Sequence, residues 1–152
     1  LYISRGTIYV KLSRDTMALA DFNSALSMND SISSVYSQIG QVYSKRADYK
    51  NAYANFEKAL LLNPKDADAL FYTGNILSEQ EKYNDAINYY NKAIDFNPKL
   101  SYAYEKRGVA YYNIKFYRLA IADWENAIKL NPDLFEKLKS FLQYAKAQAG
   151  EL

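Results

Sequence analysis

The sequence predicts an all-α fold, a stack of four helical hairpins closed by one further helix. Three observations carry that prediction. Gly6, Gly40, Gly74 and Gly108 recur every 34 residues without an insertion. Within each period the apolar residues fall three and four apart, the stripe of an amphipathic helix. Helix stops recur in phase, with Pro64, Pro98 and Pro132 closing successive periods, because proline disfavours a helical residue before it and has no N–H to continue the ladder.

The stretch from Ser33 to Asp66 shows the unit most clearly. Val35, Tyr36, Ile39, Val42 and Tyr43 form the stripe of a first helix, and a polar break follows around Arg46 to Lys50. Ala52, Tyr53, Phe56, Ala59, Leu60 and Leu62 form the second stripe, which Asn63-Pro64 ends. Neither helix is long enough to be stable alone in water. Stacking copies makes each hairpin the lid of its neighbour.

In the 34-residue register small residues align at Ala18, Ala52, Ala86 and Ala120 and again at Ala25, Ala59, Ala93 and Ala127. Together with the glycines, the first of these columns marks places where the two backbones of a hairpin should approach too closely for a large side chain. Phe22, Phe56, Tyr90 and Trp124 form the one large column. It should fill the hairpin core.

The repeats are expected at about 1–32, 33–66, 67–100 and 101–134, with a capping helix at 135–149, all in one domain spanning 1–149. Phe135, Leu138, Leu142 and Ala145 share the cap's apolar face, and the helix should end near Gly150. Leu142 takes the glycine position of the register and should block a second helix. At the other end Leu1, Ile8 and Leu12 occupy columns that in later repeats face a preceding hairpin. Apolar residues at a free edge need cover, so the expectation is either further repeats upstream or a homo-oligomer formed through this edge.

Composition narrows the function. The chain has no Cys and no His, which excludes disulfides, thiolate and imidazole chemistry and most zinc or copper sites. Neither a metal nor a cofactor is expected. The 19 basic and 17 acidic residues are scattered along 152 positions, so no basic block could neutralise a run of phosphates and nucleic acid is not an expected partner. No apolar run approaches the roughly 18 to 20 residues of a membrane span, and a soluble chain is expected. Every periodic glycine lies inside a helix, so a phosphate-binding loop is also ruled out.

Taken together, these columns resemble the tetratricopeptide repeat family. Its pattern of an aromatic, an apolar residue, Gly, Tyr, then Ala, a large aromatic, Ala and Pro reads here as Tyr36, Ile39, Gly40, Tyr43, Ala52, Phe56, Ala59 and Pro64. It recurs as Leu70, Gly74, Leu77, Ala86, Tyr90, Ala93 and Pro98, and as Tyr104, Gly108, Tyr111, Ala120, Trp124, Ala127 and Pro132. The first copy carries Tyr2, Gly6, Tyr9, Ala18, Phe22 and Ala25, with Asp30 in place of proline. The resemblance covers Leu1 to about Leu134. It implies a right-handed superhelical stack of helix-turn-helix repeats whose first helices line a concave groove.

What the resemblance implies about function is a noncatalytic interaction module or scaffold that binds a peptide segment of a partner protein. Subtracting the signature positions leaves Gln41, Phe71, Tyr72, Asn75, Tyr102, Glu105, Lys106, Tyr112 and Asn113 as the expected groove residues. Members that grip the C-terminal carboxylate of heat-shock chaperones use Lys, Asn, Asn, Lys and Arg at set groove positions. Those positions here are Ser37, Gln41, Tyr72, Tyr102 and Lys106, or in the other register Ile3, Thr7, Gln38, Asp68 and Tyr72. Only Lys106 keeps a positive charge, too little to hold a carboxylate bidentately. Most of the 16 tyrosines are read as core packing, whereas Tyr72, Tyr102 and Tyr112 lack a structural task in the repeat. Asp68, Glu79 and Glu105 are read as solvated helix-face charges.

Overall fold

A computed structural model describes residues 1–150. Its helices are α1 Tyr2–Lys11, α2 Asp15–Met28, α3 Ser33–Lys45, α4 Tyr49–Leu62, α5 Ala67–Glu79, α6 Tyr83–Phe96, α7 Ser101–Asn113, α8 Tyr117–Leu130 and α9 Phe135–Ala149. A 3-10 turn at Pro132–Leu134 leads into α9. The result is an all-α array of paired helices with a capping helix. Two compact units divide the chain within α5, one Leu1–Tyr72 and the other from Thr73 onward.

All four hairpins turn in the same way. Ser13, Ala47, Glu81 and Lys115 adopt left-handed φ values of 55, 58, 60 and 64°. The residue after each donates its N–H back into the preceding helix: Arg14 to the Tyr9 carbonyl at 2.8 Å, Asp48 to Tyr43 at 3.0 Å, Lys82 to Leu77 and Phe116 to Tyr111 at 2.9 Å. This pairing satisfies carbonyls that a helix C-terminus leaves open. None of the four left-handed residues is glycine, so each carries some steric cost.

Repeat junctions are equally uniform. Asn29, Asn63, Asn97 and Asn131 accept through Oδ1 from the N–H two residues on, at Ser31 2.9 Å, Lys65 3.1 Å, Lys99 3.2 Å and Asp133 3.2 Å. Such a side-chain turn competes with helix continuation. It explains why α2 stops at Met28 although Asp30 stands where the other repeats have proline.

In the first unit α1 packs on α2, α3 on α4, and α2 against α3. Ala18, Phe22, Val35, Ile39 and Val42 are buried together. In this unit the glycine column does something different from what the sequence predicts. A Cβ on Gly6 would lie 2.6 Å from Cε1 of Phe22, and one on Gly40 2.6 Å from Cε1 of Phe56. The glycines seat rings, and the neighbouring obstacle is a side chain of the same hairpin, not a second backbone. Arg5 clamps Asp21 through two bonds of 2.7 Å, tying α1 to α2.

The second unit repeats the device. Gly74 lies under Tyr90, and Gly108 under Trp124, where a Cβ would meet ring atoms at 2.7 and 2.6 Å; at Gly108 it would also lie 3.2 Å from the Ala120 backbone oxygen, the close backbone approach expected of these two columns. The Tyr90 hydroxyl donates to Asn75 Oδ1 at 2.8 Å. Arg107, at the register position of Arg5, donates twice to Asp123 at 2.7 and 2.6 Å and once to Asn91 at 2.7 Å. Its guanidinium also lies over the rings of Tyr104 and Tyr111.

The capping helix α9 packs on α8, and Leu138, Leu142 and Ala145 are buried in one cluster with Trp124 and Ile121. Phe135 departs from the expected apolar face. It is the first residue of α9, just past the 3-10 turn, and stays 51% exposed. Gly150, at φ 73°, ends the helix.

Candidate functional site

In a helical hairpin the first helix turns one face to its partner and leaves another available. On α3 the covered face holds Val35, Ile39, Gly40 and Val42, all buried. The other presents Ser34, exposed, with Gln38 and Gln41 half-buried. Ser37 lies deeper, and its buried Oγ has no hydrogen-bond partner. Thr7 ties α1 to this face, its hydroxyl 2.6 Å from Gln38 Oε1.

Two of the expected groove aromatics also belong to this unit. Tyr72 stacks almost parallel on Phe56, 5.6 Å between centroids, and meets Phe71 edge-on at 5.1 Å. Burial, and then the Asp68 charge, raises the pKa of the Tyr72 hydroxyl. Phe71 is only 5% exposed. It is core, and its assignment as a partner anchor is corrected on that ground.

On α7 the available face is a stripe of Tyr102, Lys106, Val109 and Asn113, spaced four, three and four apart. Tyr102 is 37% exposed, Lys106 and Asn113 are exposed, and Ala103, Gly108 and Ala110 are buried on its flanks. Asn113 Nδ2 donates to the Val109 carbonyl at 2.8 Å. Asn75 is half-buried, with its carbonyl oxygen taken by Tyr90.

Two expected site residues on α7 make contacts with the capping helix. Glu105 is no solvated charge: it is 6% exposed and pairs with Lys137 of α9 at 2.6 Å. Its backbone carbonyl also accepts from Trp124 Nε1 at 3.2 Å. Tyr112 is the centre of an aromatic cluster, its ring 5.7 Å from Tyr117 and Trp124, 5.9 Å from Tyr144 and 6.0 Å from Phe141. Phe141 and Tyr144 come from α9, so Tyr112 holds the cap in place. The signal that would have shown this is the pair of aromatics three apart on the capping helix.

The first hairpin leaves Leu1 95%, Ile8 55% and Leu12 58% exposed. Among the described residues no cluster of three or more His, Cys, Asp or Glu side chains could hold a metal ion. No described helix is long and apolar enough to cross a membrane.

Four hairpins with ring-seating glycines at a 34-residue period define a helical-repeat interaction fold. Tetratricopeptide repeat profiles match residues 33–66 and 55–88, and a TPR repeat profile matches 74–115, together more than half the chain. The chain belongs to the tetratricopeptide repeat family. No curated protein matches its sequence.

Solved structures share the fold at low identity. MamA from Desulfovibrio magneticus RS-1, residues 41 to the end, is 20% identical with a TM-score of 0.82, over 99% of this chain and 84% of that one. PilF of Pseudomonas aeruginosa is 22% identical with a TM-score of 0.79, over 99% and 75%. YrrB, described as a TPR protein with an unusual peptide-binding site, is 23% identical with a TM-score of 0.77, over 99% and 77%.

Proposed function

We propose that this chain is a noncatalytic protein-interaction module that holds an extended or helical peptide on the open faces of its first helices. The observation that carries this reading is the α7 stripe, where Tyr102 is 37% exposed beside Lys106 and Asn113. Tyrosine is a favoured anchor because it buries a large area at small entropic cost. In the first unit, taken by itself, Gln38 and Gln41 of α3 also offer amide groups to a peptide backbone. The description of YrrB as peptide-binding supports the general mode.

A chaperone carboxylate clamp is not part of the proposal, since Ser37 and Tyr102 stand where the clamp needs lysines. Panning a random peptide library tests it. The wild-type chain should enrich peptides that a Tyr102→Ser, Lys106→Ala variant releases, while both proteins melt within about 2 °C of each other, as surface changes predict. Equal retention by the variant would refute the α7 surface.

A second reading, self-association, is favoured by the exposure of Ile8 and Leu12. Changing both to Asn should then convert an oligomer to monomer in sedimentation velocity. A monomeric wild type would remove this reading.

A further inference from the structure

The four hairpin turns are an internal control, because all four share one backbone geometry while their side chains differ. The third turn runs Glu79-Gln80-Glu81-Lys82 and the fourth Asn113-Ile114-Lys115-Phe116. At the same places the first two run Lys11-Leu12-Ser13-Arg14 and Lys45-Arg46-Ala47-Asp48. The geometry of the turn asks for no run of cations. The first two turns, both in the first unit, nevertheless supply Lys11, Arg14, Lys45 and Arg46.

In sequence these cations form two groups a full repeat apart, and packing brings the groups together. Lys45 Nζ donates to Ser13 Oγ at 3.0 Å and lies 3.5 Å from Asp15 Oδ1. Arg46 lies 3.5 Å from Asp15 Oδ2 and donates to Thr16 Oγ1 at 3.3 Å. The carboxylate is the underlay, its side chain 15% exposed against 50% for Lys45 and 39% for Arg46. One acid thus holds two cations outermost and cancels only one of them. Lys11 and Arg14 are exposed, and among the described residues neither is ion-paired. Asp48, the other acid of these turns, caps α4 by accepting from the Asn51 N–H at 3.2 Å and has Lys50 near it. Between Lys11 and Arg14, Leu12 is 58% exposed.

We propose that these two turns adsorb the chain to an anionic bilayer surface. Lys11, Arg14, Lys45 and Arg46 meet lipid phosphates, and Leu12 enters the interface beneath them. Two observations favour a bilayer over a soluble polyanion or an acidic peptide. The cations sit on turns at the ends of helices and not along a groove, and an apolar side chain stands exposed among them. A bilayer accepts both the cations and the leucine, whereas a free polyanion leaves Leu12 in water. Each cation held at such a surface strengthens partitioning about fivefold. This surface is separate from the α7 stripe of Tyr102 and Lys106, and either can fail without the other.

Flotation with vesicles of equal parts phosphatidylglycerol and phosphatidylcholine, set against vesicles of phosphatidylcholine alone, tests the proposal. Wild type should float with the anionic vesicles and not with the neutral ones. Molar salt, which shortens the screening length to about 3 Å, should release it. Lys11→Glu with Arg14→Asp installs residues the chain already carries at these places, as Glu79 and Asp48, and adds a capping side chain to α2. This variant should melt with wild type and bind the anionic vesicles at least about tenfold more weakly. Leu12→Gln, copying Gln80, should weaken binding by about threefold or more. The Tyr102→Ser, Lys106→Ala variant should float like wild type.

The proposal is overturned if wild type floats no better with anionic than with neutral vesicles, if the charge-reversed variant floats equally well, or if the α7 variant loses flotation. It also fails if Leu12→Gln leaves flotation unchanged, or if a single-stranded oligonucleotide binds wild type as tightly as the vesicles do; either result makes the patch a general polyanion site. A wild-type oligomer that the Ile8→Asn, Leu12→Asn protein does not form would place a second copy over Leu12, and overturns it as well.

Discussion

Gly40→Ala offers the sharpest test of how the hairpins are packed. In an open helix this change stabilises by about 1 kcal/mol, because alanine has less backbone freedom to lose. Here the new methyl would lie 2.6, 2.8 and 2.9 Å from Cε1, Cδ1 and Cζ of Phe56, where carbon atoms are comfortable at about 3.5 to 4.0 Å. The ring cannot easily retreat, being fully buried and stacked on Tyr72 at 5.6 Å. Overpacking of this kind costs about 1–3 kcal/mol. Subtracting the propensity gain leaves a net loss of about 1 kcal/mol.

In a Phe56→Leu background the clash is gone. There Gly40→Ala should stabilise by about 0.5–1 kcal/mol, giving a coupling of about 2 kcal/mol between the two sites. Urea unfolding of the four proteins of the cycle measures it. A stabilising Gly40→Ala in the wild-type background, or a coupling near zero, would refute the ring-seat account.

Three further outcomes are expected. Ala47→Gly should raise stability by about 0.5–1 kcal/mol in urea unfolding, since φ 58° is strained for a residue with a Cβ and not for glycine. Tyr112→Ser should lower stability by about 2 kcal/mol because it removes the ring that α9 covers, while Tyr102→Ser changes it by less than about 0.5 kcal/mol; equal effects would show that the aromatic cluster does not hold the cap. The Asp21 carboxyl is held below its ordinary pKa, first by its hydrogen bonds from Arg5, so its contribution is present above the unfolded carboxylate value near pH 4 and is lost as pH falls through the lower folded value. The stability gap between wild type and Asp21→Asn should therefore be present at pH 7 and shrink by pH 2.

The hairpins were legible because their causes are local. Period, apolar stripes and proline stops each act within a few residues, and they place the helices directly. The Asn29, Asn63, Asn97 and Asn131 column is equally local, and a proline follows three of its members as a second stop. The left-handed turns were hidden for another reason: Ser13, Ala47, Glu81 and Lys115 share no side-chain chemistry, and only the backbone path reveals them. The site was less legible. Glu105 and Tyr112, seven apart, share a stripe beside that of Lys106, and nothing local to α7 says that α9 packs against it.

What the sequence determined by itself is the repeat: which residues are helical, where each helix stops, and which column holds the large ring. Those follow from spacing, backbone preference and size. Tertiary structure alone decided which groove-position side chains remain available, because that depends on what α9 brings against α7. Lys137 pairs with Glu105, and the Phe141 and Tyr144 rings pack against Tyr112, while Tyr102 and Lys106 stay exposed. Packing of the first hairpin on the second likewise sets Lys45 and Arg46 beside the Ser13 turn, and so gathers into one patch cations that the sequence scatters.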